Sequence, residues 1–319
     1  MIASNNSRAP GRAPWRAFLV VLLALAIPAL SQAPTGPAVA EAASRIVYAN
    51  DGRLLYITPS GAPLGRTGRS GYGVVDIATS DDGRRTAVLQ RTGTDGAHGD
   101  FFRLYVRTAG ERRLQEVAIN GPILEAAAPS VALSPDGRTL AISIAREIRL
   151  VDLATKRRRT LREVERGYDT QPSFTADGRH LVFCHGKPYP YRSDIYEIAL
   201  GSGTAHRLAG TGRQEFFPQL SPDRRHLAFL RRERGGFVLI VARANGSGER
   251  VVRHVDELVS RPDFSPDGRR VAFATVRGLE YATHPRWALF TSRLDGSETR
   301  AVLRSNLGGP LLPQWARMP

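Results

Sequence analysis

The chain of 319 residues contains one cysteine and only two lysines, Lys156 and Lys187. One cysteine excludes an internal disulfide framework and any zinc or iron–sulfur site that needs several cysteines. Because arginine makes up the other 43 of the 45 basic residues, the formal net charge is +15, which suits an anionic partner. The hydrophobic content of 42% argues against a disordered chain and is enough to fill a large core.

The sequence also lacks the common catalytic motifs. It has no G-x-S-x-G elbow, no H-E-x-x-H, no P-loop and no dinucleotide fingerprint. Ser202 and Ser247 lie in Gly-Ser-Gly segments, where we expect them to shape turns and not to act as nucleophiles. The sequence therefore predicts no catalytic residue, and a non-enzymatic protein is the favoured interpretation.

The longest apolar run, residues 17–27, follows three arginines, and no acidic residue precedes Glu41. This run is too short to span a membrane comfortably and is typical of the hydrophobic region of a signal peptide. Residues 38–40, A-V-A, fit the small-residue rule for cleavage. We therefore predict a signal peptide over residues 1–40 and an exported protein, periplasmic or extracellular. An uncleaved N-terminal membrane anchor is the alternative.

A nine-residue string recurs through the rest of the chain. Residues 265–273 read S-P-D-G-R-R-V-A-F, and residues 221–229 and 134–142 are clear relatives. Weaker copies lie at residues 175–183 and 80–88, and successive shared aspartates are 41 to 54 residues apart. Proline, aspartate and glycine in this order are typical of a tight turn, and the alternating apolar residues after the turn predict a half-buried strand.

Each repeat unit supplies four strands. A second hairpin follows the first, as in residues 195–198, which precede a G-S-G turn, and residues 239–241, which precede an N-G turn. Four strands in a unit of roughly 40–50 residues are typical of a β-propeller blade. Arg224 stands where the other copies have glycine, so we predict that its turn carries strain or changes type.

The two ends of the chain complete one another. Residues 45–67 contain the later strands of a unit without its first strand, while residues 313–316 match the first strand of other units. We therefore predict an all-β fold, a six-bladed β-propeller closed by pairing the C-terminal strand with the N-terminal blade, because closure leaves no free sheet edge. Residues 41–319 form one domain in this prediction, with blades at residues 45–68 plus 311–317, 70–118, 123–163, 167–210, 213–253 and 256–306.

The S-P-D-G-[RK]-x-[LIV]-A-F pattern, followed by I-Y or L-Y strands and G-S-G or D-G turns, resembles the WD40-like repeat of TolB-type propellers. Residues 194–198, D-I-Y-E-I, and residues 218–221, P-Q-L-S, are particularly similar to it. The resemblance covers residues 45–317 and implies the propeller fold, whereas the motif is poorly specific for function. TolB carries an α/β domain ahead of its propeller, and prolyl-oligopeptidase-like enzymes carry a hydrolase domain after theirs. We expect neither domain here.

The lengths of the predicted loops indicate a binding face. Connections between second and third strands share one end of the propeller with the segments that lead into the first strands, and they are long at residues 91–101, 184–193 and 275–287. Arginine with tyrosine and tryptophan, which these loops contain, is the composition of interface hot spots. Ordinary surface is the alternative. The predicted contact residues of the loops and the channel mouth are Asp169, Gln171, Lys187, Tyr189, Tyr191, Arg192, Arg213, Glu215, Phe216, Arg261, Arg286 and Trp287.

No cofactor is predicted, and a divalent metal is the open alternative. His98, His185 and His284 lie in loops on the predicted binding face and supply imidazole ligands if those loops converge. The repeated aspartates lie on separate blades, where their role in the turns explains them. Cys184 follows Phe183 on a predicted inner strand, so we expect an inert, buried thiol.

The favoured function is an exported scaffold of the cell envelope that binds a protein or another ligand. The expected partner is an envelope protein or an anionic envelope polymer, and nucleic acid is excluded because the predicted leader exports the chain. We expect a monomer that is peripheral to the membrane at most. The alternatives are a propeller lyase or hydrolase that acts on a sugar or lactone at the channel mouth, and a purely structural protein. The basic run at residues 156–159 is either a solvated turn or a polyanion contact.

Overall fold

The regular structure of the described residues consists of 24 strands in six four-stranded antiparallel sheets. The computed structural model describes residues 44–50, 53–67, 73–94, 100–111, 113–118, 129–144, 146–161, 167–187, 192–255, 260–277, 286–305 and 312–318. The predicted signal peptide, residues 1–40, lies outside these ranges. Within them, a search for helices of the length and hydropathy needed to cross a membrane finds none.

Each sheet is one blade with its first strand innermost. From the innermost to the outermost strand, blade 1 contains β24 (Gln314–Arg317), β1 (Ser44–Asn50), β2 (Arg53–Ile57) and β3 (Pro63–Arg66). Blade 2 contains β4 (Val74–Thr79), β5 (Arg85–Thr94), β6 (Asp100–Thr108) and β7 (Gln115–Val117). Blade 3 contains β8 (Ser130–Leu133), β9 (Thr139–Ile144), β10 (Glu147–Asp152) and β11 (Arg158–Thr160).

The other three blades follow in chain order. Blade 4 contains β12 (Tyr168–Phe174), β13 (His180–Lys187), β14 (Arg192–Ala199) and β15 (Ala205–Ala209). Blade 5 contains β16 (Glu215–Leu220), β17 (His226–Glu233), β18 (Gly236–Arg243) and β19 (Arg250–Val255). Blade 6 contains β20 (Asp263–Phe264), β21 (Arg270–Arg277), β22 (Arg286–Arg293) and β23 (Arg300–Ser305).

The six blades close into a ring around a central channel. Each innermost strand contacts the innermost strand of the next blade, in the order β4, β8, β12, β16, β20, β24 and back to β4. This cyclic order is that of a six-bladed β-propeller. The fold predicted from the repeat is therefore confirmed.

Strands from both ends of the chain close the ring in blade 1. β24 pairs antiparallel with β1, and Trp315 lies opposite Ile46. The indole Nε1 of Trp315 donates to the hydroxyl of Ser44 at 2.8 Å. The C-terminal strand thus occupies the innermost position that the first strand holds in the other blades, as the sequence predicted.

The repeated turns share one hydrogen-bond pattern. In blade 3 the Ser134 hydroxyl donates to the Asp136 carboxylate at 2.6 Å, and the same carboxylate accepts from the Arg138 amide at 3.0 Å. Gly137 has a φ of 67°, in the left-handed region that glycine adopts without strain. Hydroxyl-to-aspartate contacts of 2.5–2.6 Å occur in the turns of blades 2, 4, 5 and 6. Local contacts among the repeat residues therefore specify the turn.

Arg224 adopts the left-handed conformation that glycine has in the other four turns, with a φ of 57°. The turn keeps its type and carries strain on the order of 1–2 kcal/mol, since a side chain crowds the backbone in this conformation. The guanidinium extends from blade 5 to blade 4, where Nη2 donates to Glu197 at 2.5 Å and Nη1 lies 3.6 Å from Asp177. The arginine therefore adds a contact between blades that glycine does not supply.

Among the described residues the hydrophobic core is divided into six clusters, one at each interface between neighbouring blades. The last apolar residue of the nine-residue repeat is buried in every blade that contains the repeat, as Val88, Ile142, Phe183, Phe229 and Phe273. Burying a side chain of this size contributes roughly 1.5–3 kcal/mol. The alternating pattern of the sequence thus fixes which side of each second strand packs against the preceding blade.

The second and third strands extend further than the sequence indicates. Pairing continues to Lys187 and Arg192 in blade 4, and to Arg277 and Arg286 in blade 6. Residues 184–187 and 192–193 of one predicted long loop, and residues 275–277 and 286–287 of another, are therefore the ends of paired strands. Each added pair satisfies backbone groups that otherwise need water, which explains why the ladders continue through polar residues. The tip of the blade 4 hairpin, with Tyr189 and Tyr191, lies outside the described residues.

Candidate functional site in the central channel

The propeller has two faces with different connections. The turn face carries the repeated turns between first and second strands, at residues 80–84, 134–138, 175–179, 221–225 and 265–269. The loop face lies at the other end of the strands, where the hairpins of second and third strands end. Because first and second strands are antiparallel, every blade places these two kinds of connection at opposite ends.

One repeat position lines the channel near the turn face. It is the residue two places before the hydroxyl residue of each turn, or its equivalent in β24, and successive side chains on a strand alternate between faces. The residues at this position are Ala78, Ala132, Ser173, Gln219, Asp263 and Gln314. Blades 2 and 3 therefore contribute alanine to the channel wall, whereas the other four blades contribute polar side chains.

Arg261 crosses the channel on the loop-face side of these residues. Its guanidinium extends from blade 6 and donates to the Asp76 carboxylate of blade 2 and to the Val131 carbonyl of blade 3, the latter at 2.6 Å. Both charged side chains are only 9% exposed. The Asp76 carboxylate also accepts from the Val131 amide at 2.8 Å. The ion pair thus links three blades and forms one end of a cavity.

The cavity between Arg261 and the turn face has a volume of about 280 Å³. Its rim consists of the residues that follow the hydroxyl residue of each turn, together with their equivalent in β24, namely Asp81, Pro135, Ala176, Pro222, Pro266 and Arg317. The rim residues are exposed or partly exposed, so the cavity opens to solvent on the turn face. It is smaller than a drug-sized ligand pocket and suits one side chain or a small polar ligand.

A row of hydrogen bonds follows the channel wall from blade 4 to blade 1. The Ser173 hydroxyl donates to the Gln219 amide oxygen at 2.7 Å, and the Gln219 amide nitrogen donates to Asp263 at 2.9 Å. The other oxygen of Asp263 accepts from the backbone amide of Trp315. Each side chain reaches the following blade, so the row connects four successive blades through groups that face the cavity.

Burial raises the pKa of Asp263 to about 7, although the Trp315 amide and the Arg261 guanidinium act in the opposite direction. The Asp81 carboxylate on the rim adds to the increase. A carboxyl group with this pKa is present in both protonation states near neutral pH. Asp263 is therefore able to donate or accept a proton inside a cavity that is open to solvent.

Two innermost strands are bulged beside the channel. Gln171 and Phe217, which occupy equivalent positions in blades 4 and 5, have φ values of 55° and 52°. The pairing register shifts at both places, and the Gln171 side-chain oxygen accepts from the Phe217 amide at 2.8 Å. Left-handed conformations outside glycine cost on the order of 1–3 kcal/mol each, so the contact between the blades holds both bulges in a strained form.

Four of the residues predicted to contact a partner are buried, and besides Arg261 these are Asp169, Glu215 and Trp287. Asp169 accepts from His185 Nδ1 at 2.8 Å, with both side chains about 5% exposed or less. Glu215 accepts from Arg231 Nε at 3.0 Å and is fully buried. Trp287 is 8% exposed and belongs to the hydrophobic cluster between blades 6 and 1. The strands continue through these positions and turn the side chains inward, so a binding role for these three residues stays a prediction.

The other predicted contact residues differ in their exposure and in their contacts. Lys187, Arg192, Arg213 and Arg286 are exposed at the loop face of blades 4 to 6. Phe216 is partly buried and packs edge-on against Phe237, with ring centroids 5.7 Å apart. Gln171 lies in the bulge of β12, and Arg261 lines the cavity in the channel, as described above. Tyr189 and Tyr191 fall outside the described residues.

The structure brings no metal site together within the ranges it describes. His98 and His284 lie outside those ranges, whereas His185 is paired with Asp169. A search for groups of three or more histidine, cysteine, aspartate or glutamate side chains that are placed to hold a metal finds none among the described residues. Cys184 is buried and donates through Sγ to the Glu215 carbonyl at 3.3 Å.

The sequence interpretation missed the polar row of Ser173, Gln219 and Asp263. These residues share a repeat position, and a comparison of that position across all blades shows polar residues in four of them. The neighbouring positions of the strands are apolar, so the polar residues indicate a position that faces the channel. The lengths of the predicted loops indicated a site on the opposite face instead.

Residues 100–317 match the TolB beta propeller domain family, over more than half of the chain. The chain belongs to the TolB β-propeller domain family. The match covers the last two strands of blade 2, all of blades 3 to 6 and the C-terminal strand that closes blade 1. The resemblance identified from the repeat pattern is confirmed.

Solved structures share the fold of this TolB-type propeller. TolB from Acinetobacter baumannii aligns with a TM-score of 0.69 and 22% identity, over 86% of this chain and 66% of the other. A putative TolB from Agrobacterium tumefaciens aligns with a TM-score of 0.61 and 19% identity, over 86% of this chain and 98% of the other. A chain of a nidogen/laminin complex aligns with a TM-score of 0.59 and 10% identity, over the same shares. At sequence identities below 25%, these similarities show a shared fold and nothing about function.

A curated relative matches a short part of the chain. Dipeptidyl-peptidase 5 from Porphyromonas endodontalis is 33% identical over 82 residues, which are 22% of this chain and 12% of that protein. The chain spans 12% of the peptidase and about two thirds of the Acinetobacter TolB. Proteins that share a fold often differ in activity, so this short match is no evidence that the propeller is a peptidase.

Proposed function

We propose that this TolB-type propeller is an exported recognition scaffold of the cell envelope, which holds an acidic segment of a partner protein on the loop face of blades 4 to 6. The observation that carries the proposal is the set of cationic side chains exposed there. Lys187 and Arg192 end the hairpin of blade 4, Arg232 and Arg234 end that of blade 5, and Arg286 begins the returning strand of blade 6.

The charges at this face are unevenly balanced. Arg213 and Glu233 form an ion pair in this group, 3.3 Å apart. Arg232 lies over the Phe237 ring at 6.0 Å, so this part of the face combines a cation with an aromatic surface. Arginines and aromatic residues are enriched in protein interfaces, and a patch with a net positive charge speeds the encounter with a partner of negative charge. Both properties favour an acidic polypeptide.

Export is supported by the sequence. The apolar run after three arginines and the A-V-A segment at residues 38–40 have the pattern of a cleaved leader. The test is the N-terminal sequence of the protein recovered from an envelope fraction of the source cells. A mature N-terminus near Glu41 supports export with cleavage, whereas an intact N-terminus in the cytosolic fraction contradicts export.

Charge reversal tests the partner-binding face. The full chain with Arg192→Glu, Arg213→Glu and Arg286→Glu is compared with a matched variant, Arg179→Glu, Arg250→Glu and Arg300→Glu, whose exposed arginines lie away from the loop face. Each protein captures partners from a detergent-solubilised envelope of the source cells at low and high salt. We expect a stoichiometric acidic protein that the matched variant retains and the loop-face variant loses. Equal losses, or equal retention, contradict the proposed face.

A second candidate function, a lyase or hydrolase that acts on a sugar or lactone at the channel mouth, is favoured by Asp263. Its pKa of about 7 and its position in a solvent-open cavity suit general acid–base chemistry. The test is turnover of a panel of lactones and uronic-acid sugars by the full chain and by Asp263→Asn. Turnover that Asp263→Asn abolishes supports an enzyme, and equal rates from both proteins contradict it.

A further inference from the structure

Four arginines surround a second cavity, at the interface of blades 1 and 2 on the turn face. Arg45 comes from β1, Arg66 from β3, Arg84 from the first turn of blade 2 and Arg107 from β6. The cavity has a volume of about 260 Å³. Its other described lining residues are neutral, so no carboxylate of the described chain contributes to the wall.

Tyr56 holds two of these arginines together. The Arg45 guanidinium lies over its ring, 4.8 Å from the centroid, and Arg107 Nη1 donates to its hydroxyl at 2.5 Å. Arg45 Nη2 also donates to the Gly83 carbonyl of blade 2 at 2.5 Å. The guanidiniums of Arg45 and Arg107 are thus positioned by neutral groups, and no carboxylate of the described residues forms an ion pair with either of them.

The positive charges carry an electrostatic cost. Burial has the largest effect on the pKa of Arg45 and lowers it; Tyr56 raises it, the nearby Arg107 lowers it and Asp82 raises it, in decreasing order of effect, and the pKa is lowered overall. Arg45 Nε is buried and has no hydrogen-bond acceptor among the described residues. The carboxylate that approaches Arg84 is Asp82, at 3.9 Å, and it already accepts from Ser80 and from the Arg84 amide. An anion in the cavity relieves the repulsion and supplies acceptors.

A comparison with another groove on the same face shows that this charge is unusual. The groove between blades 5 and 6 is larger and contains six arginines, but four carboxylates accompany them, namely Asp223, Glu249, Asp267 and Asp295. Its positive charge is thereby largely balanced within the protein. The interface of blades 1 and 2 has the arginines without the acids.

We propose that Arg45, Arg66, Arg84 and Arg107 form a binding site for a phosphate group at the interface of blades 1 and 2. Each guanidinium presents several N–H donors in one plane, and a tetrahedral phosphate accepts from several such groups at once. A carboxylate has only two oxygens in a plane and is satisfied by one or two arginines. The site lies on the face opposite to the proposed protein-binding arginines, so it stands independently of that function.

Binding at this site is coupled to closure of the ring. Arg45 lies in β1, directly opposite Ala316 of the closing strand. A Cβ atom at Gly83 would be 2.5 Å from the Arg317 carbonyl, so the turn that carries Arg84 lies against the same strand. A phosphate held between Arg45 and Arg84 therefore connects blade 2 to the blade that closes the ring, and it stabilises the folded protein by mass action.

Titration calorimetry of the full chain with inorganic phosphate, at matched ionic strength, tests the site. We expect binding together with a rise in melting temperature that chloride does not produce. Arg66→Gln and Arg107→Gln are expected to weaken phosphate binding about tenfold or more, since a charge-assisted hydrogen bond contributes that factor. Arg66 is exposed, so its replacement leaves the fold intact even if Arg107→Gln unfolds the protein.

The matched control is Arg138→Gln, the equivalent of Arg84 in the turn of blade 3. It is expected to bind phosphate like the unchanged protein. Binding of the protein to vesicles of phosphatidylglycerol, compared with vesicles of phosphatidylcholine, distinguishes a lipid headgroup from free phosphate. Binding to phosphatidylglycerol vesicles that Arg66→Gln weakens identifies the ligand as a lipid headgroup. If the protein does not bind the vesicles, the ligand is a soluble phosphate. Equal weakening by Arg138→Gln, no phosphate binding, or acetate binding as tight as phosphate overturns the proposal.

Discussion

The Arg261 guanidinium of blade 6 donates to the Asp76 carboxylate of blade 2, a residue 185 positions away in the sequence. The same guanidinium nitrogen donates to the Val131 carbonyl of blade 3, directly across the ring. Because both charges have lost most of their contact with water, each depends on the other for compensation. Substitutions at this ion pair therefore test how much it contributes to holding the blades together around the channel.

We predict that Arg261→Met destabilises the protein by about 3–5 kcal/mol, since it leaves the Asp76 carboxylate buried without its cation. Arg261→Met combined with Asp76→Asn is expected to recover more than half of that loss, because the buried charge is removed with its partner. Urea denaturation of the single and double variants measures both values.

An exposed pair supplies the control for this prediction. Arg225 Nε lies 3.9 Å from Asp223, with the arginine side chain 81% exposed, so Arg225→Met is expected to change the stability by less than about 1 kcal/mol. Equal costs for Arg261→Met and Arg225→Met would show that the channel pair is no more important than a surface contact.

We predict opposite effects of Arg224→Gly in two backgrounds. In the unchanged protein the substitution relieves the left-handed strain but leaves Glu197, which is 5% exposed, without its closest cation. The loss of compensation for a buried charge exceeds the strain relieved, so we expect a net destabilisation of about 1–2 kcal/mol. With Glu197→Gln already present, Arg224→Gly is expected to be neutral or stabilising, as measured by urea denaturation. The same sign in both backgrounds would contradict a role for the Glu197 contact.

The turns and the closure were predictable because their information is local or repeated. Ser134, Asp136 and Gly137 specify a turn through contacts within five residues. The five copies of that string, together with the unit divided between the two ends of the chain, indicate six blades. The closing strand was recognisable because residues 313–316 resemble the first strands of other blades. Even the strain at Arg224 followed from one residue that departs from the repeat.

The channel and the buried contacts were not predictable in the same way. Whether Trp287 is a loop residue or a core residue depends on where pairing with Val276 ends, and the pattern of single residues does not set that limit. Arg261 closes the channel through groups on two other blades, which are adjacent only after the ring has formed. The location of the cavity on the turn face is a consequence of that long-range contact.

We predict that Asp263 makes the protein less stable as the pH rises from about 4 to about 7. Its pKa is about 7 in the folded protein, against about 4 for an ordinary unfolded carboxyl group, so in this window the folded state binds a proton that the unfolded state lacks. The stabilising effect is therefore present at the acid end and is lost as the pH rises through 7, with a total of about 4 kcal/mol. Urea denaturation at several pH values, for the unchanged protein and Asp263→Asn, isolates the contribution.

Asp136→Asn is the control with the opposite sign. Slight burial raises the pKa of Asp136, but hydrogen bonds from the Ser134 hydroxyl and the Arg138 amide outweigh it, so the pKa is lowered. Its contribution is thus present above the unfolded pKa and lost as the pH falls. Relative to Asp136→Asn, the unchanged protein should gain stability with pH, whereas relative to Asp263→Asn it should lose stability. A difference from Asp263→Asn that does not vary with pH would exclude a raised pKa.

We predict that the Cys184 thiol reacts with a disulfide reagent only when the interface of blades 4 and 5 opens. Burial raises the pKa of Cys184 well above its ordinary value, and the Glu215 carboxylate adds to the increase. Since the thiolate is the reactive form, the native thiol is protected twice, by its protonation and by its position. The labelling rate should rise with urea in parallel with unfolding, and the variant Cys184→Ser with Ser202→Cys, whose new thiol lies in an exposed turn, should react at once. Immediate stoichiometric labelling of the native protein would contradict the buried position of Cys184.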